Sequence, residues 1–582
     1  MKLPAWLFLS VAPLAAQMTL EQKLLDFGVM VSMYNKHYAP YEWKRDALGY
    51  DMFDLGPWLA RIHDSKDDLD FFEICAEYVV SLRDTHSSFS MLSNFSATLG
   101  FTVDIFGGRL LIDSINRTTL PASRYEFQIG DELIALDGKP AAEWLEYTLR
   151  FSAGANPRSA ARRAAHRITS RSQSIIPRAH EIGETARVEI QRPDGTLLVY
   201  DIPWIKTGTP VTSAGRLPSP VFKSERATAA TDDDVAPAWV APLNELRLER
   251  DPETADLVGY GSLAPVYSPP QGFRQRLGRV STDYFYSGEF EAEGFRIGLI
   301  RIPNFSPSST TAALRAFEAE IAYFQENTDG LIVDVTRNNG GDACYNEEIQ
   351  RRLIPYRFRA MAREIRATTR FLNSFASSLE TARRINESPE VIARLEARFE
   401  EVRRAYESSR GRTGPVPICS DTLERDPAGI VYSKPLMVLV DEFSTSAADA
   451  FPAVLQDNRR GPLFGWRTNG AGGTTGSFRT GVYSEFSASH TIAMHHRKEP
   501  VITPDYPPTH YVENVGVRPD IEYDFMTREN LVTGGRPFVE AFTAAMVEHI
   551  RKNRQSAERA NSGPPSSRPV SVDPTQLWRS LR

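Results

Sequence analysis

Three short, mostly apolar runs, Ile297–Ile302, Gly330–Val335 and Leu436–Val440, constrain this chain most. They do not alternate apolar with polar residues, which suits strands buried on both faces, and helical segments separate them. That order calls for an α/β core built on a parallel sheet. At 582 residues the chain is too long for one such core, so appended modules are expected. With 41% hydrophobic and 24% charged residues it is globular, neither disordered overall nor collagen-like. Lys and Arg number 67 against 74 Asp and Glu, and a net charge of −7 gives no reason to expect a nucleic-acid backbone or anionic lipid as partner. Cys75, Cys344 and Cys419 include no CxxC pair, so neither a disulfide framework nor a cysteine zinc site is supported. HExxH is absent, and His495 and His496 read as strand or loop residues rather than ligands; no metal is expected.

The first residues read as an address. Lys2, an apolar stretch from Leu3 to Leu14, and then Ala15, Ala16 and Gln17 have the charged, apolar, small-residue order of a secretory signal peptide over 1–17, too short to span a bilayer. Thr19 with Gln22 then opens a helix as a capping box. No later run approaches the length of a membrane span, so a mature protein that is secreted or periplasmic is expected, with no membrane span.

The region 18–98 is helical: Leu69, Phe72, Cys75 or Ala76, Val79 and Leu82 form one apolar face, and the helix runs out at Arg83-Asp-Thr-His86. Residues 99–206 are β-rich, with an Asp137-Gly138 hairpin turn inside Gly130-Asp-Glu-Leu-Ile-Ala-Leu-Asp-Gly-Lys-Pro140. That stretch resembles the "GDxIxxxDGxP" pattern of PDZ domains. From 207 to 284 the composition shifts to Pro, Ser, Thr and Gly with an acidic triplet at Asp232–Asp234, which leaves two readings open, a passive tether or a regulatory segment. The α/β region follows over 285–552, including a capped amphipathic helix beginning at Ser388-Pro389, and 553–582 reads as a disordered tail after a helix at Phe538–Ile550.

Two turns carry the chemistry. Asp334-Val-Thr-Arg-Asn-Asn-Gly-Gly341 ends a buried strand with paired glycines that let backbone N–H groups approach a ligand. About one hundred residues on, Val438-Leu-Val-Asp-Glu-Phe-Ser-Thr-Ser-Ala-Ala-Asp449 repeats strand, small-residue turn and helix, placing a serine where helix N–H groups favour developing negative charge.

Together these segments resemble the C-terminal processing (tail-specific) peptidase family, with its "LRxNxGG" and "SxSAxE" motifs. The resemblance implies a crotonase/ClpP-like α/β serine peptidase core with an inserted PDZ-like domain and a helical N-terminal region. It puts Ser446 in the nucleophile's place and makes an oxyanion hole from the N–H of Ala447 and one of the glycine pair, Gly341 or Gly340. Many relatives place a lysine base twenty-five residues past the serine, but Ala471 stands there in Thr468-Asn-Gly-Ala-Gly-Gly473 and cannot take a proton. Another base is needed, and histidine suits neutral pH.

His86, in Leu82-Arg-Asp-Thr-His-Ser-Ser-Phe89, and Glu513, in Tyr511-Val-Glu-Asn-Val-Gly-Val-Arg-Pro519, match the "LxDxH" and "ENxGVxP" stretches of the tricorn-like and chlamydial-activity-factor branch. That resemblance implies a Ser446–His86–Glu513 triad acting on protein or peptide substrates without a cofactor, with Thr85 either aiding the site or capping a helix end. It also implies a homodimer, and a zymogen whose internal segment blocks the site and is cut out. The rival readings are a non-catalytic binding protein of the same fold, as in retinoid-binding-protein repeats, and a PDZ-led peptide-binding adaptor.

Overall fold

The computed structural model describes residues 17–212, 238–251, 257–479 and 481–561. Its centre is a seven-stranded sheet in the order Arg274–Leu277, Tyr286–Ala292, Phe295–Arg301, Gly330–Asp334, Leu436–Val440, Leu463–Gly465, Ile521–Glu522. The three apolar runs lie side by side in it, and every pairing from Phe295–Arg301 onward is parallel. Gly330–Asp334 and Leu436–Val440 are buried at every position, as strands covered on both faces must be. One face packs on the helices Thr310–Asn327 and Ala447–Asp457, through Phe317, Ile321 and Phe451; the other packs on Arg536–Asn561, through Phe542 and Met546. This last helix runs to Asn561, past the expected end at Ile550; of the expected tail, 562–582 lies outside the described residues, as do 1–16 of the expected leader.

A second sheet is separate from the first. Its spine is the long strand Phe486–Val501, which pairs with Gly473–Arg479, Phe89–Met91, Ala362–Ile365 and Thr509–Tyr511. His495 and His496 are strand residues here, as expected. The N-terminal helices Leu20–His37 and Asp68–Ser81 pack against this sheet through Phe27, Tyr34, Phe72 and Val79, which meet Phe478 and Phe486. The Thr19–Gln22 capping box opens the first helix.

The PDZ-like unit is a sheet of Phe101–Phe106, Arg109–Ile115, Glu132–Leu136, Thr185–Gln191 and Leu197–Pro203, closed by the helices Ala141–Leu149 and Pro157–Thr169. Asp137 and Gly138 take positive φ (52° and 73°) in its hairpin turn. Helix Pro157–Thr169 also contacts the core, as do Phe106 and Leu111 through Met526. Arg162, 1% exposed, donates to Asp104 of its own unit (2.6 Å) and to Glu442 of the core (3.0 Å), four residues before Ser446.

One sequence reading needs correction. Cys344 and Cys419, 75 residues apart, form a disulfide that joins the helix Ala343–Arg351 to the loop before Glu424–Arg425. Spacing cannot show a pairing made by tertiary folding, and Cys75 alone remains as a buried thiol. The stretch between the PDZ-like unit and the core also has described structure: Ala241–Arg247 is a helix and Leu248–Arg250 a strand. Trp239, Leu243 and Leu246 bury against Phe371 and Phe375, an apolar anchor in a segment whose average composition is polar. The acidic triplet, within 213–237, lies outside the described residues.

Candidate active site

The sheet's two parallel strands Gly330–Asp334 and Leu436–Val440 end side by side, and their turns are tied to each other. Ser444 Oγ donates to the Val335 carbonyl (2.8 Å) and the Thr445 N–H to the Asn338 carbonyl (2.9 Å). Ser446 then sits at the corner into helix Ala447–Asp457 with φ 64° and ψ −111°. Such a backbone is costly for a residue with a β-carbon and persists only where the surroundings fix it. Here they do so through Asp449, whose carboxylate accepts the Ser446 N–H (2.7 Å), the Gly470 N–H (2.8 Å) and the Ala471 N–H (3.1 Å). Burial pushes the Asp449 carboxyl up to about 6 against these hydrogen bonds. Ala471, where a lysine base would stand, is thus part of a backbone clamp on the nucleophile's turn.

His86 arrives from the end of helix Asp68–Ser81. Arg83 turns the chain with φ 51°, the Asp84 carboxylate accepts the His86 N–H (2.8 Å), and Thr491 Oγ1 donates to the same carboxylate (2.8 Å). This sets the imidazole Nε2 2.7 Å from Ser446 Oγ, with both residues fully buried. Burial lowers the imidazole's pKa, and the nearby charges of Asp84 and Asp251 oppose it without reversing it. The ring is therefore neutral near pH 7 and able to accept the serine proton.

Glu513 is placed differently from Ser446 and His86. Its carboxyl accepts from Lys44 Nζ (2.5 Å) and from the Gly472 N–H (3.0 Å), and burial, with Asp84 adding to it, pushes it up to about 8. Lys44 also donates to the Arg83 carbonyl (2.9 Å), so glutamate and histidine share one buried neighbourhood. No hydrogen bond joins them among the described residues, and His86 Nδ1 has no partner there. Thr85 does not aid either residue: it donates to Asn469 Oδ1 (2.6 Å) and accepts the Ala155 N–H (3.0 Å), fastening the histidine's loop to the PDZ-like unit.

Of the oxyanion candidates, the Gly340 N–H is committed to Asn338 Oδ1 (2.9 Å) and is not available. Ala447 is the first residue of its helix, where N–H groups lack intrahelical partners. Gly341 takes φ 153°, and a β-carbon there would overlap the Phe305 backbone. Lys44 and Asp449 were not singled out from sequence. Lys44 is 469 residues from Glu513, and no spacing connects them; Asp449 holds the last place of the "SxSAxE" motif, which is the available signal.

A serine on a strained strand-to-helix turn, a neutral histidine in hydrogen-bond contact with it and helix N–H groups behind it are the parts that a serine-type peptidase site needs. Residues 296–523 match the profile of peptidase family S41, and residues 95–211 that of a PDZ domain. Over these residues the chain is similar to the C-terminal processing peptidases. It is 23% identical over 610 residues to a Chlamydia pneumoniae protein, covering 95% of this chain and 94% of that one, and 23% identical over 587 residues to a Chlamydia trachomatis protein, covering 91% and 93%. Its fold is similar to that of mature CPAF complexed with lactacystin, with a TM-score of 0.71 at 21% identity over 92% of this chain and 99% of that one. A second structure of mature CPAF gives a TM-score of 0.69, also at 21% identity, covering 92% and 98%.

Proposed function

We propose that this serine peptidase is a secreted or periplasmic endopeptidase that works through Ser446, His86 and Glu513 and is made with its own chain lying in the cleft. The contact between His86 Nε2 and Ser446 Oγ, 2.7 Å at a strained turn, carries the reading. His86 takes the serine proton as Oγ attacks the peptide carbonyl, then passes it to the leaving amine; water, deprotonated in turn by His86, releases the acyl group. Negative charge on the carbonyl oxygen falls to the N–H groups of Ala447 and Gly341. Glu513 is the acidic member of the triad, and it serves the imidazole once it leaves Lys44 and the Gly472 N–H. The open Nδ1 of His86 and the shared Lys44–Arg83 neighbourhood support this move.

The strand Leu248–Arg250 pairs with Gly340–Asp342, beside the nucleophile, which supports an autoinhibited precursor rather than a tether. The Lys2-to-Ala16 leader pattern and the Cys344–Cys419 disulfide support an oxidising compartment outside the cytoplasm. A homodimer is tested by light scattering of the purified chain.

The deciding experiment labels the intact chain with a fluorophosphonate and, separately, with lactacystin, the compound complexed with CPAF. Wild type is expected to be labelled at Ser446, with label absent from Ser446→Ala and reduced at least a hundredfold in His86→Ala. Mass spectrometry of the incubated wild type should show cuts within 207–284 that Ser446→Ala lacks, with activity rising as they appear. Equal labelling of wild type and Ser446→Ala would overturn the reading.

A further inference from the structure

Strand Leu248–Arg250 runs antiparallel to Gly340–Asp342, with Glu249 opposite Gly341. The Asp251 N–H donates to the Asn339 carbonyl (3.1 Å). Hydrogen-bonded pairs alternate along an antiparallel ladder, so Glu249 and Gly341 form the next bonded pair and the Gly341 N–H faces the Glu249 carbonyl oxygen. A β-carbon built on Gly340 would meet this same carbonyl oxygen and, at 2.9 Å, Ser446 Cβ. The Glu249 carbonyl is therefore held between nucleophile and oxyanion donor, where the carbonyl of a substrate residue belongs.

The Glu249 side chain enters a pocket made by the core. Its Oε1 lies 2.5 Å from Arg363 Nε, with Arg363 Nη2 on the same oxygen, and 2.9 Å from His495 Nε2. Arg363 and His495 face each other as register partners on adjacent strands of the second sheet, so the pocket does not depend on the segment that fills it. Glu249 and His495 are fully buried and Arg363 is 3% exposed. Burial alone would raise the Glu249 carboxyl, and Arg363 followed by His495 holds it below its ordinary range instead. A guanidinium enclosed in this way needs an anionic partner, because a buried charge without one is strongly disfavoured.

Building on the proposed function, we propose that Arg363 and His495 form the subsite for the side chain whose carbonyl Ser446 attacks, and that this subsite selects a carboxylate, so that the enzyme cuts proteins after acidic residues. The segment inhibits by presenting such a residue, Glu249, from within the chain.

The test uses the full-length protein and fluorogenic peptides that differ only in Glu, Gln, Ala or Leu before the scissile bond. The Glu peptide is expected to exceed the Gln peptide at least tenfold in kcat/KM. Arg363→Gln should bring that ratio toward one, and Arg363→Lys should keep part of it, a pattern that general loss of folding would not produce. Equal cleavage of Glu and Gln peptides by active wild type overturns the subsite and leaves the peptidase reading standing. Failure to cleave any peptide counts against the peptidase reading instead, and the subsite is then judged by binding. For this, Ser446→Ala combined with Glu249→Gln, which weakens the competing segment, is titrated with fluorescent Glu and Gln peptides. Tenfold tighter binding of the Glu peptide supports the subsite, and equal affinity overturns it.

Discussion

Ser446 and Asp449 show how much of the site is set by backbone rather than by side-chain chemistry. The carboxylate of Asp449 collects three N–H donors from two loops, and an amide in its place offers one oxygen where the carboxylate offers two. Asp449→Asn is therefore expected to lose about 1–3 kcal/mol of stability, read by thermal melting, and to slow turnover at least tenfold because the nucleophile's turn is no longer clamped to Gly470 and Ala471. His86 gives a second expectation. In the proposed mechanism its neutral imidazole is the base, and burial has lowered the pKa, so that base is lost only as pH falls through the lowered value. The acidic limb of fluorophosphonate labelling should then lie below the ordinary imidazole value of about 6.5. A limb at or above that value would mean that another group is titrating.

At the scale of elements, sequence patterns gave strands and helices wherever one face or both are buried uniformly. Leu69, Phe72, Val79 and Leu82 are all buried as their spacing demands, and the three apolar runs are adjacent parallel strands. Ser446 and His86 were singled out through the resemblance of their motifs, since an element end by itself reads equally as a cap, and the structure brings the two side chains within 2.7 Å. The Lys44–Glu513 contact, the Arg363–His495 pocket and the Cys344–Cys419 bond were not legible, because each joins residues far apart in sequence through tertiary packing alone. Ala241–Arg247 belongs to a stretch whose composition left a tether and a segment lying over the domain equally open, and a few apolar residues dock it. Leu246, fully buried, makes that docking testable. Leu246→Ala is expected to weaken it by about 2–5 kcal/mol, the range for truncating a buried leucine. Ser446 labelling should rise several-fold while the melting temperature of the core changes little.

Across the whole molecule, the PDZ-like unit reaches the nucleophile's loop through one helix. Arg158 and Arg162 both engage Glu442, Arg163 pairs with Asp251 of the intervening segment, and Asn156 donates to the Thr468 carbonyl (3.2 Å). Arg162→Ala would leave the buried Asp104 carboxylate without its guanidinium partner and remove one of the two that hold Glu442. The expected loss is about 3–5 kcal/mol, seen as a lower melting temperature, together with slower turnover because Glu442 stands on the strand end that carries Ser446. A variant that melts like wild type would show that the PDZ-like unit is only appended.

Under the proposed autoinhibition, the strand Leu248–Arg250 is an inhibitor within the same polypeptide, and that governs how its occupancy responds to conditions. An inhibitor in solution is lost on dilution, whereas a tethered one acts at an effective concentration fixed by the chain, on the order of millimolar for short flexible connections. Dilution alone cannot empty the cleft, and a substrate arriving from solution competes against that local excess however little enzyme is present. Cutting the chain on both sides of Leu248–Arg250 turns an intramolecular ligand into a short free peptide, whose rebinding then depends on its bulk concentration. In a dilute medium the change is one-way, because nothing restores the lost connection.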